Sequence, residues 1–441
     1  MILRKPPDPV KRFLDFIAPT FDKRQADLVE PLFLGELLAH GRRTATAWFR
    51  AAGITDDFRR AYTVLGSLGR DNVPTCACLL FSDLRRSIDP GAHWLMALDD
   101  TPTPRYGPQV EGAGFHHNPT PGPTEQKFVY GHVWVTTAWV VRHPQWDTLA
   151  LPLLADLYIR QDDLPRIDPD RRPGFVTKLQ QAAEQIRWTA GQLRDTGKPI
   201  WFVVDGFYTK RPVLKEAQEQ KVTLVGRLRG DAALRDLPPP SRGRGRPAKY
   251  GKKRISLAKR AGHAQGWEEV TCFQYQEEVK KTVKTFLATW KPAGGVIRVV
   301  LVREGKKWLA YCCTDASASV RDILEAAAGR TAIEQTFKDI KEVEGAGQQQ
   351  LRYWRANEGA FNWCLWGYTV VEWWAWEKPF EQLCDRGDSP WDDSERRPSH
   401  ANRRKALQRE MLGEEFRRRW GEEPCPPEIQ EVIEVLLAMA A

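Results

Sequence analysis

The order of apolar runs between residues 94 and 230 constrains the fold of this chain more than any other feature. Three β-rich runs come first, and the short break "PQWD" between the second and third suits an antiparallel connection. A helical stretch, a strand, a second helix and a last strand follow. In chain order, these segments cover residues 94–98, 127–143, 148–160, 173–195, 200–204, 211–221 and 222–230. This order predicts a mixed sheet with helices packed on its faces.

Two of the apolar runs end in aspartate. The run 94–98 is followed by Asp99 and Asp100, and the run 200–204 is followed by Asp205. A single aspartate at a strand end is most often a turn former or a helix cap. Two independent runs that end in the same way favour a functional interpretation, because sites on such sheets lie at the carboxyl ends of the strands. We therefore expect acids from both runs to line one site.

A third acid lies on the predicted helix "AAAGRTAIEQTFKDIKEVEGAG", residues 326–347. A charged stripe runs beside an apolar stripe on this helix. The charged stripe holds Arg330, Glu334, Lys338 and Lys341, and the apolar stripe holds Ile333, Phe337 and Ile340. A charged face is usually a solvated face, so the stripe alone defines no site. Asp339 points about 140° away from Glu334. Glu334 is therefore the acid of this helix that can reach a shared site, and its cationic neighbours are candidate phosphate contacts.

Two strand-end aspartates and one helix glutamate form a set of hard oxygen ligands. The eight cysteines show no CxxC pair and no spacing of zinc type. The set suits Mg²⁺ or Mn²⁺, and two such ions bridged by carboxylates favour phosphodiester hydrolysis and strand transfer. Each acid taken singly is weak support, and the combination is stronger.

The net charge of +9 is unevenly placed and indicates a polyanionic partner, nucleic acid before an anionic membrane. Residues 242–260 hold nine Lys or Arg and no acid, and the core "RGRGRP" resembles an AT-hook that enters narrow minor grooves. The alternative is a solvated basic loop that binds DNA without sequence preference. The candidate DNA contacts here are Arg242, Arg244, Arg246, Lys249, Lys252, Lys253 and Arg254.

The sequence patterns divide the whole chain into five regions. Residues 1–90 are predicted to be helical, as a DNA-end-binding domain of helix-turn-helix type or a plain packing domain. A β-rich insertion with a basic loop separates two parts of the α/β core, and a helical region closes the chain. The core covers 91–230 and 316–378, the insertion 231–315, and the last region 379–441.

The Trp-rich segment 359–376 holds Asn362 and Glu372, which favours a buried helix over a membrane span. The sequence shows no signal-peptide pattern, so we expect a cytoplasmic protein with reduced thiols.

These features resemble the DDE transposases of bacterial insertion sequences, in the branch whose third-acid motif is Tyr-(2)-Arg-(3)-Glu-(6)-Lys. Arg330, Glu334 and Lys341 match that spacing, and Ala327 stands where the family has tyrosine. The stretches "ALDDTPT" and "VVDGFY" extend the resemblance to about residues 90–370. It implies an RNase H-like mixed sheet core interrupted by a β-rich insertion domain, with helical regions at both ends.

The resemblance also implies residue roles. The acid before the threonine is the family's ligand, so Asp100 is expected to join Asp205 and Glu334 in binding two Mg²⁺ or Mn²⁺ ions, with Asp99 as a supporting acid. Trp308 stands near the place of a tryptophan that stacks on a base flipped out of the DNA end. The core role is more common for a tryptophan in so Trp-rich a chain. His116 and His117 are interpreted as loop contacts, since two-metal chemistry needs no histidine.

The sequence thus predicts a cut-and-paste transposase. Its partners would be double-stranded DNA, as terminal inverted repeats and as target, and a second copy of the chain in a homodimer built through the C-terminal helices. It would work in the bacterial cytoplasm on the nucleoid. Two alternatives stay open: a nuclease that cleaves without strand transfer, and a domesticated, catalytically altered DNA-binding protein. Ala327 bears on the handling of the cleaved end more than on cleavage.

Overall fold

The computed structural model describes residues 6–118, 127–240, 247–275, 277–384, 391, 393, 395–420 and 425–440. Between residue 6 and the first strand the structure holds five α-helices, as predicted for this region. They are α1 (Val10–Ile17), α2 (Ala26–Leu38), α3 (Ala45–Ala51), α4 (Phe58–Ser67) and α5 (Val73–Ser87). In none of the described ranges is a helix long and apolar enough to cross a membrane.

Apart from one short strand, residues 114–117, the core sheet follows the predicted order of strands and helices. Its elements are β1 (Trp94–Pro104), β2 (Gly114–His117), β3 (Phe128–His143), β4 (Asp147–Tyr158), α6 (Lys178–Leu193), β5 (Ile200–Val204), α7 (Arg211–Glu219) and β6 (Thr223–Arg227). β3 pairs antiparallel with β4 and β1, whereas β1, β5 and β6 run parallel. The spatial order β4-β3-β1-β5-β6 is that of an RNase H-like core and confirms the predicted fold class.

The β-rich insertion extends the same sheet. It comprises β7 (Leu234–Arg235), β8 (Arg254–Ile255), α8 (Leu257–Gly262), β9 (Glu268–Gln274), β10 (Glu277–Trp290), β11 (Gly295–Glu304) and β12 (Lys307–Cys313). β12 returns antiparallel to β6, so the last strand of the insertion continues the hydrogen-bond ladder of the core. After β12 the chain forms two consecutive helices, residues 320–329 and 331–342, and the second of them carries the third acid.

Helices cover both faces of the sheet. The remaining helices are α9 (Val320–Gly329), α10 (Thr331–Glu342), α11 (Trp354–Ala375), α12 (Phe380–Leu383), α13 (His400–Trp420) and α14 (Pro427–Ala440). Ile333 and Phe337 of α10 pack in one apolar cluster with Ala97 of β1 and Val203 of β5. Residues one place further along those strands pack in a second cluster with α6, α11 and the N-terminal helices. This division follows from the alternation of side chains along a strand.

α11 is the Trp-rich helix, and it is buried within the protein. Trp363 and Trp366 are fully buried, and Phe361 stacks on Trp134 of β3 with ring centroids 4.1 Å apart. Asn362 pairs with the backbone N–H and C=O of Ala155 in β4, both at 2.9 Å. The polar residue that argued against a membrane span therefore docks the helix on the edge strand.

The helix α11 also touches the N-terminal region backbone to backbone at Gly359. A Cβ on Gly359 would lie 2.2 Å from the carbonyl oxygen of Leu65. We predict that Gly359→Ala lowers the free energy of unfolding by about 3 kcal/mol, because the two helices must separate. Gly191→Ala in α6 is the matched control, since a Cβ there meets nothing within 4 Å. It should raise stability by about 0.5–1 kcal/mol in the same urea titration. Equal effects of the two changes would contradict the close contact.

Candidate nucleic-acid active site

A cleft of about 710 Å³ opens where the parallel strands β1, β5 and β6 stop pairing. Its walls come from the sheet, from α6 and from the junction of α9 and α10. Among the residues that line it are Asp99, Asp100, His116, Lys178, Asp205, Phe207, Arg227, Tyr311, Ala327, Arg330 and Glu334. The cleft therefore gathers acids and bases from parts of the chain more than 200 residues apart.

Asp99 and Asp205 are neighbours because of the parallel register of β1 and β5. Leu98 of β1 pairs with Val204 of β5, and the residue that follows each of them in sequence is one of these two acids. Side chains alternate along a strand, so Asp99 faces the same side as Ala97, which packs under α10. The sequence predicted that the first strand ends at the aspartates. That is wrong, because β1 continues beside β3 as far as Pro104.

Arg330 joins Asp99 to Glu334. Its Nη1 lies 2.5 Å from Oδ2 of Asp99, and its Nη2 lies 2.7 Å from Oε1 of Glu334. Arg330 stands between α9 and α10 with helical backbone angles, so the two helices are almost continuous. One guanidinium thus holds a sheet acid and a helix acid on the same side of the cleft.

The electrostatics of Asp99 reflect this crowding. Burial raises the pKa of Asp99 to about 7, Arg330 opposes that rise, and the charges of Asp205 and Asp100 add to it. A carboxylate in this position gains from any further cation, because cationic charge favours the ionised form.

Asp205 serves the backbone as well as the cleft. Its Oδ1 accepts hydrogen bonds from the backbone N–H groups of Phe207 at 2.8 Å and Tyr208 at 3.0 Å. These bonds fix the turn after β5 and the direction of the carboxylate. The turn-forming role of a strand-end aspartate and a role in the site are therefore compatible here.

Asp100 faces the other way. Both of its oxygens lie 3.1 Å from Nζ of Lys178, the first residue of α6, and Tyr208 donates its hydroxyl to Oδ2 at 2.6 Å. Its neighbour one pleat back, Leu98, packs in the cluster on the α6 side. The resemblance assigned Asp100 to the metal set, but the structure brings Asp99, and not Asp100, to the face that Glu334 shares.

The donor chemistry fits a divalent cation. Asp99, Asp205 and Glu334 offer only carboxylate oxygens, which hard ions such as Mg²⁺ prefer. Within the ranges that the structure describes, no three His, Cys, Asp or Glu side chains stand close enough to hold an ion as they are. Arg330 instead supplies the cationic charge between Asp99 and Glu334.

The other candidate residues of α10 and β12 lie apart from the cleft. Lys338 is exposed on α10, and Lys341 lines a separate groove of about 600 Å³ with Arg42 and Tyr106. Trp308 packs against the main core cluster. It stands three places before Tyr311, so the two rings point to opposite faces of β12, and it is Tyr311 that lines the cleft.

The basic segment is only partly described. Lys249, Lys252, Lys253 and Arg254 are exposed in the insertion, whereas Arg242, Arg244 and Arg246 lie outside the described residues. His116 and His117 line the cleft from strand β2, which the sequence did not predict. Burial and the charge of Lys178 lower the pKa of His116 to about 4, so its ring is neutral.

Sequence reasoning missed Lys178 and Tyr208. Lys178 opens α6 directly after the capping residue Thr177, a position that marks a helix start and nothing else. Tyr208 lies three residues after Asp205 in "VVDGFY" and was quoted only as part of that motif. Their roles depend on the pairing of β1 with β5, which residue spacing does not reveal.

A comparison with known families agrees with this geometry. A family model described as DDE superfamily endonuclease matches residues 18–291, well over half of the chain. The match contains Asp99, Asp100 and Asp205 and ends before Glu334, so the third acid is assigned from geometry and spacing. No curated protein matches the chain. Members of this superfamily are enzymes that act on DNA with divalent metal ions. With its RNase H-like sheet and its acidic cleft, the chain belongs to the DDE superfamily endonuclease family.

Proposed function

We propose that this endonuclease is a transposase that cleaves DNA at inverted-repeat ends and joins the freed ends to target DNA. The observation that carries the proposal is the gathering of Asp99 and Glu334 around Arg330, with Asp205 beside Asp99 in the parallel register. Three carboxylates on one face of an RNase H-like sheet suit phosphodiester cleavage and transesterification alike.

In this proposal two divalent ions, Mg²⁺ or Mn²⁺, would be held by Asp99, Asp205 and Glu334. Such ions activate a water or a 3′-hydroxyl and stabilise the leaving oxygen. Asp205 is preoriented by two backbone N–H groups, and Asp99 is held by Arg330. Arg330 would turn toward DNA phosphate once the acids have other cationic partners.

DNA binding would extend well beyond the cleft. Lys338 and Lys341 lie further along α10, and Lys249, Lys252, Lys253 and Arg254 present exposed charge from the insertion. Exposed lysines and arginines bind the phosphate backbone without reading sequence. The helical N-terminal region is the proposed reader of the DNA ends. The active form would be a homodimer in the cytoplasm, holding both ends of the element on the nucleoid.

The second candidate is a DNA nuclease without strand transfer. Ala327, which lines the cleft where the family's tyrosine would stand, favours this candidate for the handling of cleaved ends. Its methyl group offers no hydroxyl to a DNA end. A DNA-binding protein without chemistry is the third candidate, and the presence of all three acids argues against it.

The test is incubation of the purified protein with DNA that carries the repeats flanking its own gene, with Mg²⁺ or with EDTA. A transposase is expected to cleave the DNA at the repeat ends with Mg²⁺ and not with EDTA, and to join the cleaved ends to a target plasmid. Cleavage without joining would support the nuclease. Specific binding without cleavage would overturn both enzymatic proposals.

A further inference from the structure

Two lysines lie at the side of the cleft opposite Glu334, and the proposed metal and DNA contacts give them no role. Lys178 opens α6 and lines the cleft, and Lys210 follows the turn after Asp205. Their Nζ atoms lie 5.7 and 4.3 Å from the centroid of one ring, that of Phe207. Phe207 is 43% exposed and also lines the cleft. Two ammonium groups therefore flank one exposed ring beside the acids.

Lys178 is held in place by a partly buried set of contacts. Asp100 offers both oxygens to its ammonium at 3.1 Å, and the fully buried Tyr208 donates to the same carboxylate at 2.6 Å. The ring of Tyr158 lies 5.4 Å from the ammonium. Tyr208 thus keeps Asp100 on the α6 side, and Asp100 keeps the lysine pointing along the cleft wall.

The ammonium keeps capacity for a ligand. An ammonium has three donor hydrogens, and Asp100 accounts for at most two of them. The Lys178 side chain is 21% exposed, and Lys210 is exposed. A phosphodiester suits both lysines, since lysine binds phosphate as a point charge.

We propose that Lys178 in the cleft and Lys210 beside it bind the DNA backbone around the Phe207 ring, and that Asp100 positions Lys178 and is not a metal ligand. This inference rests on the proposed DNA cleavage for the identity of the ligand. It assigns the adjacent acids Asp99 and Asp100 to separate tasks on opposite faces of β1. The two lysines flank a single ring, so one stretch of backbone, with a phosphate every 3.4 Å or so of rise, can contact both.

The test measures affinity for a fluorescently labelled random-sequence duplex across a salt series, in EDTA. Lys178→Met and Lys210→Met should each lower the slope of log K against log salt by about 0.9 and weaken binding roughly fivefold at physiological salt. Lys178→Arg keeps the charge and should keep the slope. Lys215→Met is the matched control, because Lys215 lies on α7 in an exposed pair with Glu219. Unchanged slopes in the Lys178 and Lys210 variants would overturn the proposal.

The positioning role of Asp100 needs a double-mutant cycle. Asp100→Asn should weaken binding in the wild-type background and add nothing in the Lys178→Met background, because both changes remove the same contact. An increase in affinity that persists without Lys178 would show that Asp100 only repels phosphate. Loss of cleavage with unchanged binding would make Asp100 a metal ligand. Binding in EDTA needs no chemistry, so the salt slopes remain readable even if the wild type cleaves nothing.

Discussion

Replacing Asp99 with asparagine is expected to lower metal-dependent DNA cleavage by more than about a hundredfold, since even residues that only support metal ligands cost 10- to 100-fold when removed. Asp99 is the acid of β1 that faces Glu334, and Arg330 bridges the two. An amide in its place is a poor ligand for a hard cation. Initial cleavage rates on flanking-repeat DNA in Mg²⁺, at saturating protein, measure the loss.

The control is the same substitution at the neighbouring residue, Asp100. Asp100→Asn should weaken DNA binding but keep the metal-dependent cleavage rate at saturating protein, because its side chain points to α6 and contacts Lys178 and Tyr208. Asp205→Asn and Glu334→Gln should behave like Asp99→Asn and leave DNA binding within a fewfold of the wild type. If Asp100→Asn is inactive and Asp99→Asn is active, the assignment drawn from family resemblance stands and the one drawn from geometry fails.

Folding must be separated from chemistry in these variants. Burial raises the pKa of Asp99, so the charged side chain carries a desolvation cost that asparagine lacks. The loss of the contact with Arg330 acts in the opposite direction. Asp99→Asn is therefore expected to stay folded, and a thermal unfolding curve close to the wild type's would attribute the lost cleavage to the site.

The comparison of Asp99 with Asp100 shows what a sequence can and cannot give. Apolar runs that end in acid predicted the strands β1 and β5 and the edge of the sheet where the cleft opens. They did not predict which of two adjacent acids faces the helix α10. That choice depends on the register of Leu98 with Val204 and on the face that α10 covers, and both are properties of tertiary packing.

Trp308 shows the same limit on another strand. Its position after two lysines in "KKWLAYCCT" made it a candidate for the site beside the more common core role, and the strand itself was predicted. Alternation puts Tyr311 on the cleft side and leaves Trp308 half-buried against the core cluster on the other face. Strand β2 was missed for a different reason, because its four residues pair only at one end of the long strand β3.

A buried charge cluster was out of reach of sequence reasoning altogether, since its members come from three separate segments. His400 lies between Glu344, at 2.5 Å from Nε2, and Glu372, at 2.6 Å from Nδ1. Arg403 pairs with Glu372 at 2.9 Å, and Arg404 pairs with Glu344 at 3.0 Å. All five side chains are almost fully buried. The cluster ties α13 to α11 and to the segment just after α10.

The stability of the protein should therefore depend on pH through His400. The two glutamates outweigh burial and raise the pKa of His400 to about 9, against about 6.5 when unfolded. The folded pKa is the higher one, so the stabilisation is complete below about pH 6.5 and is lost as pH rises through about 9. We expect the unfolding free energy to fall by about 3 kcal/mol over this range.

Other buried acids also make the unfolding free energy fall as pH rises. Burial raises the pKa of Glu358 to about 8 and that of Glu36 well above its usual range. Carboxyls of this kind also favour the folded state less as pH rises. The contribution of His400 must therefore be read from the difference between the wild type and a variant across the pH series, and not from the wild type alone.

His400→Leu is expected to lower the unfolding free energy near neutral pH by about 3–5 kcal/mol, because Glu344 and Glu372 are left buried without the cation between them. The loss should shrink as pH rises toward 9, where the wild-type ring has lost its proton. His263→Gln, a change at an exposed histidine of the insertion, should leave both the stability and its pH dependence as they are. Urea titrations at fixed pH values between these limits measure all three proteins. A loss in His400→Leu that stays the same at every pH would mean that the ring is neutral in the folded protein and that the cluster holds its charge elsewhere.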